Sequence, residues 1–235
     1  MKFFSWSTLS LFDWFLIVGI IALNVVYSFL MQDIDIIGTV AGVSGVLCVV
    51  LVAKRSMANY LFGLINVTLY AIISYKSKIY GDAVLNAFYY LPMQFIGWFG
   101  WIKHTEKSGE NSKEESSLVK SRKMTVRQRS YLFIGCFILV VVTGFILDRW
   151  TGDPQPYKDA TTIVLAIIAQ YLMVKMFLEQ WILWIIVNVV STIMWVYLLY
   201  NGQPHAALMV GMWLFYLANS INGYCVWHKA ATRNF

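Results

Sequence analysis

The sequence predicts an all-α polytopic membrane protein with eight transmembrane helices. One N-terminal helix leads, and two three-helix bundles follow as a 3+1+3 parallel repeat around a linker helix. Three observations predict this. Hydrophobic residues make up 59% of the 235 and charged residues 13%, with a mean hydropathy of +0.64; a soluble domain carries about 25% charged residues. The apolar residues fall in runs long enough to cross a bilayer core. Lys and Arg gather at alternate breaks between those runs.

The first run, 11–30, follows Met1-Lys2 in the manner of a signal peptide. No small-x-small cleavage pattern comes after it and further runs do, so it is read as a membrane helix. The first bundle, 36–102, holds spans 36–53, 57–75 and 82–102. Asp33 and Asp35 mark the break before it, and Lys54-Arg55 the next one. Gly38-xxx-Gly42, with Gly45 following, predicts close helix contact. Pro92 lacks a backbone donor and predicts a kink at a hinge or cavity. Residues 103–129 form a polar loop, expected to be solvated and partly disordered. Its basic end, Lys120 to Arg129, is expected on anionic headgroups, and a regulatory partner is one use for the loop. The linker helix occupies 130–150, with its apolar run at 130–147. Gly152-Asp-Pro-Gln-Pro156 reads as a turn-rich loop. The second bundle, 158–228, holds spans 159–178, 181–200 and 205–228. Glu179-Gln180 is its shortest break and Asn201-Gly-Gln-Pro204 a tight turn. Residues 229–235 form a tail.

With the N-terminus in the cytoplasm, fourteen of the 18 Lys and Arg fall inside. Both termini are therefore expected to be cytoplasmic. Six aspartates, Asp33, Asp35, Asp82, Asp148, Asp153 and Asp159, lie at outer ends. The net charge of +6 is thus a topology signal. Membrane lipid is the partner it implies, and it gives no reason to propose nucleic acid.

Trp181, Trp184 and Asn188 lie within about 60° of one another on a helix turning about 100° per residue. Thr192 and Trp195 extend the stripe. Asn188 falls mid-span, where a lone amide is costly without a partner. Two indoles beside an amide suit a planar, polar, cationic ligand; an aromatic packing stripe with one helix–helix hydrogen bond is the alternative. Leu61, Asn66, Val67 and Tyr75 recur 122 residues on as Leu183, Asn188, Val189 and Tyr197. A parallel repeat puts a transporter's substrate near the repeat interface. The other candidate contacts are Asn66, Tyr90, Gln94, Trp213, Tyr216 and Asn219. Ser220 shares a face with Trp213 and Tyr216, while Asn219 and Asn222 lie off that stripe. Trp101 and Trp227 read as interfacial belt anchors.

No acidic or basic residue lies deep within a span, which argues against ion coupling through an intramembrane carboxylate. A phosphorylated substrate would need Arg or Lys in the cavity. His104, His205 and His228 sit at helix ends, and no His/Cys cluster has metal spacing. Cys48, Cys136 and Cys225 read as buried thiols. No nucleophile–base pair or phosphate loop is present. No catalytic residue, metal or cofactor is expected, and the chain does not read as an enzyme.

The WxxWxxxN stretch at 181–188, the long basic loop and the 3+1+3 plan with an extra leading helix resemble the PnuC-type nicotinamide riboside transporters, across about residues 11–228. In the first half, Asn59, Phe62 and Asn66 stand at the motif's spacing. The resemblance implies a fold similar to the SWEET sugar transporters, location in a bacterial inner membrane, a homotrimer, and facilitated diffusion of a B-vitamin-type nucleoside. Uptake is then driven by phosphorylation inside the cell. Nicotinamide riboside fits the residues: Trp181 and Trp184 can stack on its pyridinium, for about 0.5–2 kcal/mol of cation–π attraction. Asn and Gln can meet its carboxamide and hydroxyls. Thiamine, also cationic and aromatic, is the nearest rival substrate. A membrane-embedded enzyme or cofactor scaffold is the rival from another class and predicts titratable groups converging within the spans.

Overall fold

The computed structural model describes residues 9–31, 36–76, 80–108, 120–151, 155–202 and 206–232. Within them every regular element is a helix: α1 (Leu11–Met31), α2 (Ile36–Ala53), α3 (Asn59–Lys76), α4 (Tyr80–Leu85), α5 (Leu91–Ser108), α6 (Val126–Trp150), α7 (Pro156–Val174), α8 (Gln180–Tyr200) and α9 (Ala206–Thr232). A π-helical turn, Asn86–Tyr90, joins α4 to α5, so the described residues form eight continuous helices. The kink expected at Pro92 takes this form. Pro92 has no N–H to give to the turn before it, and the Leu91 N–H reaches back to Asn86 O.

The helix ends differ from the apolar runs for local reasons. The α6 helix starts at Val126, not 130, because Thr125 and Gln128 form a capping box. The Gln128 N–H donates to Thr125 Oγ1 at 3.3 Å, and the Thr125 N–H to Gln128 Oε1 at 2.9 Å. Ser10 and Asp13 bond reciprocally in the same way at the start of α1. Pro156 opens α7 at its first turn, three residues early, and α7 ends at Val174, short of the expected 178. The α5 helix runs past 102 to Ser108, and α9 past 228 to Thr232. At the turn after α8, Gly202 takes φ +69°, which favours glycine. Asp33, Asp35, the central loop residues 109–119, residues 152–154, Gln203 to His205, and the tail beyond 232 lie outside the described residues.

Among the described residues, five helices are long and apolar enough to cross a membrane by composition: α1, α2, α6, α7 and α8. The sequence reading expected eight. The apolar stretch of α3, Asn59–Ile73, is shorter, and the path through α4 and α5, like α9, is interrupted by amides, Tyr and Gly. These more polar helices carry most of the candidate contacts.

The chain divides into two units, 1–120 and 121–235. Helix α6, the expected linker, falls in the second. Its Cys136 is buried in a core with Leu165, Ala169 and Leu172 of α7 and Leu183 and Val187 of α8. Cys225, by contrast, is exposed on α9, so it is not the buried thiol expected.

One connector is built twice. After α2, Arg55 adopts φ 59°, its N–H reaches Val52 O, and the Ser56 N–H reaches Leu51 O. After α7, Met176 adopts φ 61°, its N–H reaches Met173 O, and the Phe177 N–H reaches Leu172 O. Both are Schellman motifs with a left-handed residue just past the C-cap, two positions beyond the last helical residue. The spacing between the two is 121 residues, one less than the identities Leu61/Leu183 and Asn66/Asn188 suggest. Carried along the helices, it pairs Tyr60 with Trp181 and Asn59 with Gln180.

The packing around Tyr60 and Trp181 agrees. Tyr60 meets Trp101 edge to face at 5.1 Å, and Trp181 meets Trp227 at 6.1 Å. A Cβ on Gly97 would strike the Tyr60 ring, and one on Gly223 the Trp181 ring. Each glycine, one turn before its Trp, opens the slot that the opposing ring fills. Trp101 and Trp227 are both wholly buried, so they are packing residues and not exposed belt anchors. Gly42 is less demanding: a Cβ there would sit 3.9 Å from Asn24 of α1, in ordinary contact.

Two buried carboxylates sit beside the connectors. Asp13 pairs with Lys54 at 2.6 Å, and Glu179 with Arg129 at 2.7 Å. Residues 121–124 lie against the second connector. The Arg122 N–H donates to Met176 O, Arg122 O accepts from the Leu178 N–H, and the Arg122 guanidinium stacks 4.8 Å over Phe177. Part of the basic segment assigned to headgroups is therefore held by the chain itself. A buried Glu179 needs a counter-charge, and Arg129 supplies it.

Candidate functional site

In the second unit the candidate residues lie on α8 and α9. Asn188 is 3% exposed and donates from Nδ2 to Ser220 Oγ at 2.7 Å. Ser220 in turn donates to Tyr216 O at 2.9 Å. The mid-span amide thus has the interhelical partner that its burial demands. Thr192 Oγ1 donates to Asn188 O at 2.7 Å, which is internal to α8.

The two indoles of the motif differ. Trp181 is 2% exposed and packed on Gly223 and Trp227. Trp184 is half-buried, one turn before Asn188, and rests with Trp213 against the core around Leu183 and Val187. Trp184 therefore offers ring surface in this conformation, while Trp181 supports α9. Trp213 meets Tyr216 edge to face at 5.8 Å, and its Nε1 has no acceptor among the described residues. Asn219, next to Ser220, is buried.

In the first unit, Asn66 donates from Nδ2 to Ala41 O at 2.8 Å and so bridges α3 to α2. Gln94 is 5% exposed, and its Oε1 has no donor among the described residues. A Cβ on Gly63 would lie 2.5 Å from that oxygen, so the absence of a side chain at 63 makes room for the amide. Tyr90 ends the π-helical turn and lies edge-on to Tyr89 at 5.2 Å. That turn places Asn86, Tyr89 and Tyr90 just before Pro92, a placement frequent at functional positions.

The nine expected contacts thus fall into two sets. Trp181, Trp184, Asn188, Trp213, Tyr216 and Asn219 belong to the second unit; Asn66, Tyr90 and Gln94 belong to the first. Sequence reasoning noticed Ser220 without selecting it, because its partner Asn188 lies 32 residues away on another helix. It missed Gly97 and Gly223. Aligning Leu91…Gly97…Trp101-Ile-Lys103 with Leu217…Gly223…Trp227-His-Lys229 would have exposed them. Gln180 was also missed: it is wholly buried, and neither of its amide atoms is hydrogen-bonded among the described residues.

Chemically, the second unit offers a flat aromatic surface, an amide oxygen and a spare indole donor, with little charge nearby. Among the described residues, no three His, Cys, Asp or Glu side chains gather into a metal-binding group. Such a set has the chemistry to accept a planar ring with polar substituents, and it holds no acid–base pair among the described residues.

Comparison with known proteins gives a consistent result. The nicotinamide mononucleotide transporter family matches residues 35–229. The nicotinamide riboside transporter PnuC of Neisseria mucosa is 40% identical over 202 residues, 84% of this chain and 74% of that protein. The protein of the same name from Haemophilus influenzae is 34% identical over 205 residues, 83% and 80% of the two chains. The crystal structure of the vitamin B3 transporter PnuC superposes with a TM-score of 0.78 at 33% identity, covering 98% of this chain and 96% of that one.

Proposed function

Because the chain belongs to the nicotinamide mononucleotide transporter family, a family of multi-pass membrane transporters and not enzymes, we propose that it carries nicotinamide riboside by facilitated diffusion. The observation that carries this reading is the half-buried Trp184 one helical turn before the buried Asn188. A pyridinium ring can stack on the indole while its polar substituent meets the amide. The names of the 40% and 34% identical relatives support the same substrate. The riboside fits better than the mononucleotide after which the family is named. A phosphate needs cationic partners, and the Lys and Arg of the described helices stand at helix ends. We assign Trp184, Asn188, Trp213, Tyr216 and Asn219 of the second unit, and Asn66, Tyr90 and Gln94 of the first, as substrate contacts, with Trp181 supporting them from its packed position against α9.

Charge placement supports this transport mode. Asp13 and Glu179, the buried carboxylates among the described residues, are each ion-paired beside a connector. Neither is placed to carry a proton or sodium ion through the midplane. Proteoliposomes holding the full chain are expected to equilibrate labelled nicotinamide riboside without any ion gradient, with thiamine a poor competitor. Accumulation well above the outside level that depends on such a gradient, with no kinase inside, would refute uniport.

Orientation rests on the bias of Lys and Arg. Both termini are proposed to be cytoplasmic in a bacterial inner membrane. A reporter fused after Phe235 is expected to be active as a cytoplasmic fusion; activity only on the far side would reverse the topology. The apolar outer faces of α1 and α6, with Phe15, Phe29, Phe137 and Ile138 exposed, suit lipid or other copies of the chain. A homotrimer, implied by the PnuC resemblance, is read out by the mass of the solubilised particle.

A further inference from the structure

Whether a buried amide accepts or donates toward a ligand depends on what holds its other end. Among the described residues, Asn188 makes one side-chain hydrogen bond, from Nδ2 to Ser220 Oγ at 2.7 Å. The Ser220 hydroxyl proton is already given to Tyr216 O, one turn back at 2.9 Å. A hydroxyl has a single proton. Toward Asn188 it is therefore only an acceptor, and only the amide NH2 satisfies it. Asn188 and Ser220 are 3% and 4% exposed, so bulk water does not compete for either group. The oxygen Oδ1 is left as the amide atom turned away from Ser220.

We propose that Ser220 is a positioning residue that fixes the polarity of Asn188, so that the substrate meets an acceptor and the site selects the carboxamide of nicotinamide riboside over the carboxylate of nicotinic acid riboside. The inference rests on the substrate reading above. Trp184 stands one turn before Asn188, so a ring stacked on its indole carries its substituent toward the amide. A carboxamide offers N–H donors to Oδ1. A carboxylate offers none and sets oxygen against oxygen in a site with little water. Removing the Ser220 hydroxyl releases the amide about its broad terminal torsion. The NH2 group can then turn to the ligand and accept either substituent.

The test compares calorimetric titrations of nicotinamide riboside and nicotinic acid riboside into the purified, monodisperse full chain. Wild type is expected to favour the riboside amide by at least about ten-fold. Ser220→Ala is expected to bring the ratio close to one, with the acid gaining relative to the amide. Ser220→Thr, which keeps the hydroxyl, is expected to restore it. A lost side chain that merely loosens the helix pair would lower both affinities together. An unchanged ratio in Ser220→Ala therefore overturns the inference, whatever happens to the absolute values. Should that variant not remain monodisperse, Ser220→Cys keeps the volume, weakens the acceptor and carries the same comparison. Wild type that binds no nicotinamide riboside removes the substrate reading, and this inference with it. Wild type that binds and discriminates, with a ratio indifferent to position 220, removes only the role of Ser220.

Discussion

Asn188→Ala is expected to weaken nicotinamide riboside binding about ten- to hundred-fold, or about 1–3 kcal/mol, in protein that stays folded. The amide is 3% exposed, so the substrate's polar group at that point has no water to replace it. Ser220 also loses its donor, because the 2.7 Å bond from Nδ2 disappears. Trp184→Ala adds a second signature. Loss of an indole face should penalise a cationic ring more than a neutral nucleoside of similar size. The competing view is that both residues only pack α8 against its neighbours. It predicts lower melting temperatures with normal affinity in the folded fraction. Titrating each variant alongside its thermal denaturation separates the two views, and unchanged affinity in both variants would remove the stripe from the binding site. His228→Ala serves as the control expected to leave affinity alone.

The largest loss of stability is expected from Arg129→Ala. Glu179 is buried, with its side chain 1% exposed, and Oε1 accepts from Arg129 Nε at 2.7 Å and from the Met124 N–H at 3.1 Å. Removing the guanidinium strands a buried carboxylate. Breaking a fully buried pair from one side costs about 3–5 kcal/mol. Arg129 is 38% exposed, and water reaching the vacated position should reduce the cost to about 2–3 kcal/mol. Adding Glu179→Gln to Arg129→Ala should recover part of it, because the stranded charge is then gone. Melting curves in detergent test this: additive losses in the double variant would mean that the two residues are not coupled. The Lys54–Asp13 pair should be less sensitive to loss of its lysine. Asp13 Oδ2 also accepts from the Ser10 N–H and hydroxyl, each at 2.6 Å, so its charge keeps two partners.

Much of the candidate site was legible because its signals are local. A tryptophan pair and an amide at spacings of three and four share a helix face wherever the helix lies. Mid-span depth alone makes the amide costly unless it is paired. Pro92 likewise announced a break in regular helix, since a missing N–H cannot be supplied from elsewhere. The unequal roles of Trp181 and Trp184 were not legible. They occupy the same stripe, and what separates them is Gly223 on α9, which opens a slot for one ring and not the other. Ser220 escaped selection for the same kind of reason. A serine in an apolar helix is unremarkable until a buried amide is found opposite it.

The sequence by itself determined the all-helical membrane class and the approximate position of each helix, and it marked the candidate residues for a flat polar ligand. Composition, 3.6-residue periodicity and the cost of burying polar groups act within a few turns of chain, so a linear reading can recover them. Only the tertiary structure decided which of those residues pack and which stay open, how the amide of Asn188 is turned, and that the two connectors correspond at 121 residues. The packing of Trp181 against Gly223 and the turn of the Asn188 amide toward Ser220 depend on partners 30 or more residues away. Their contact is set by how helices interlock side chain against glycine, which no local periodicity encodes.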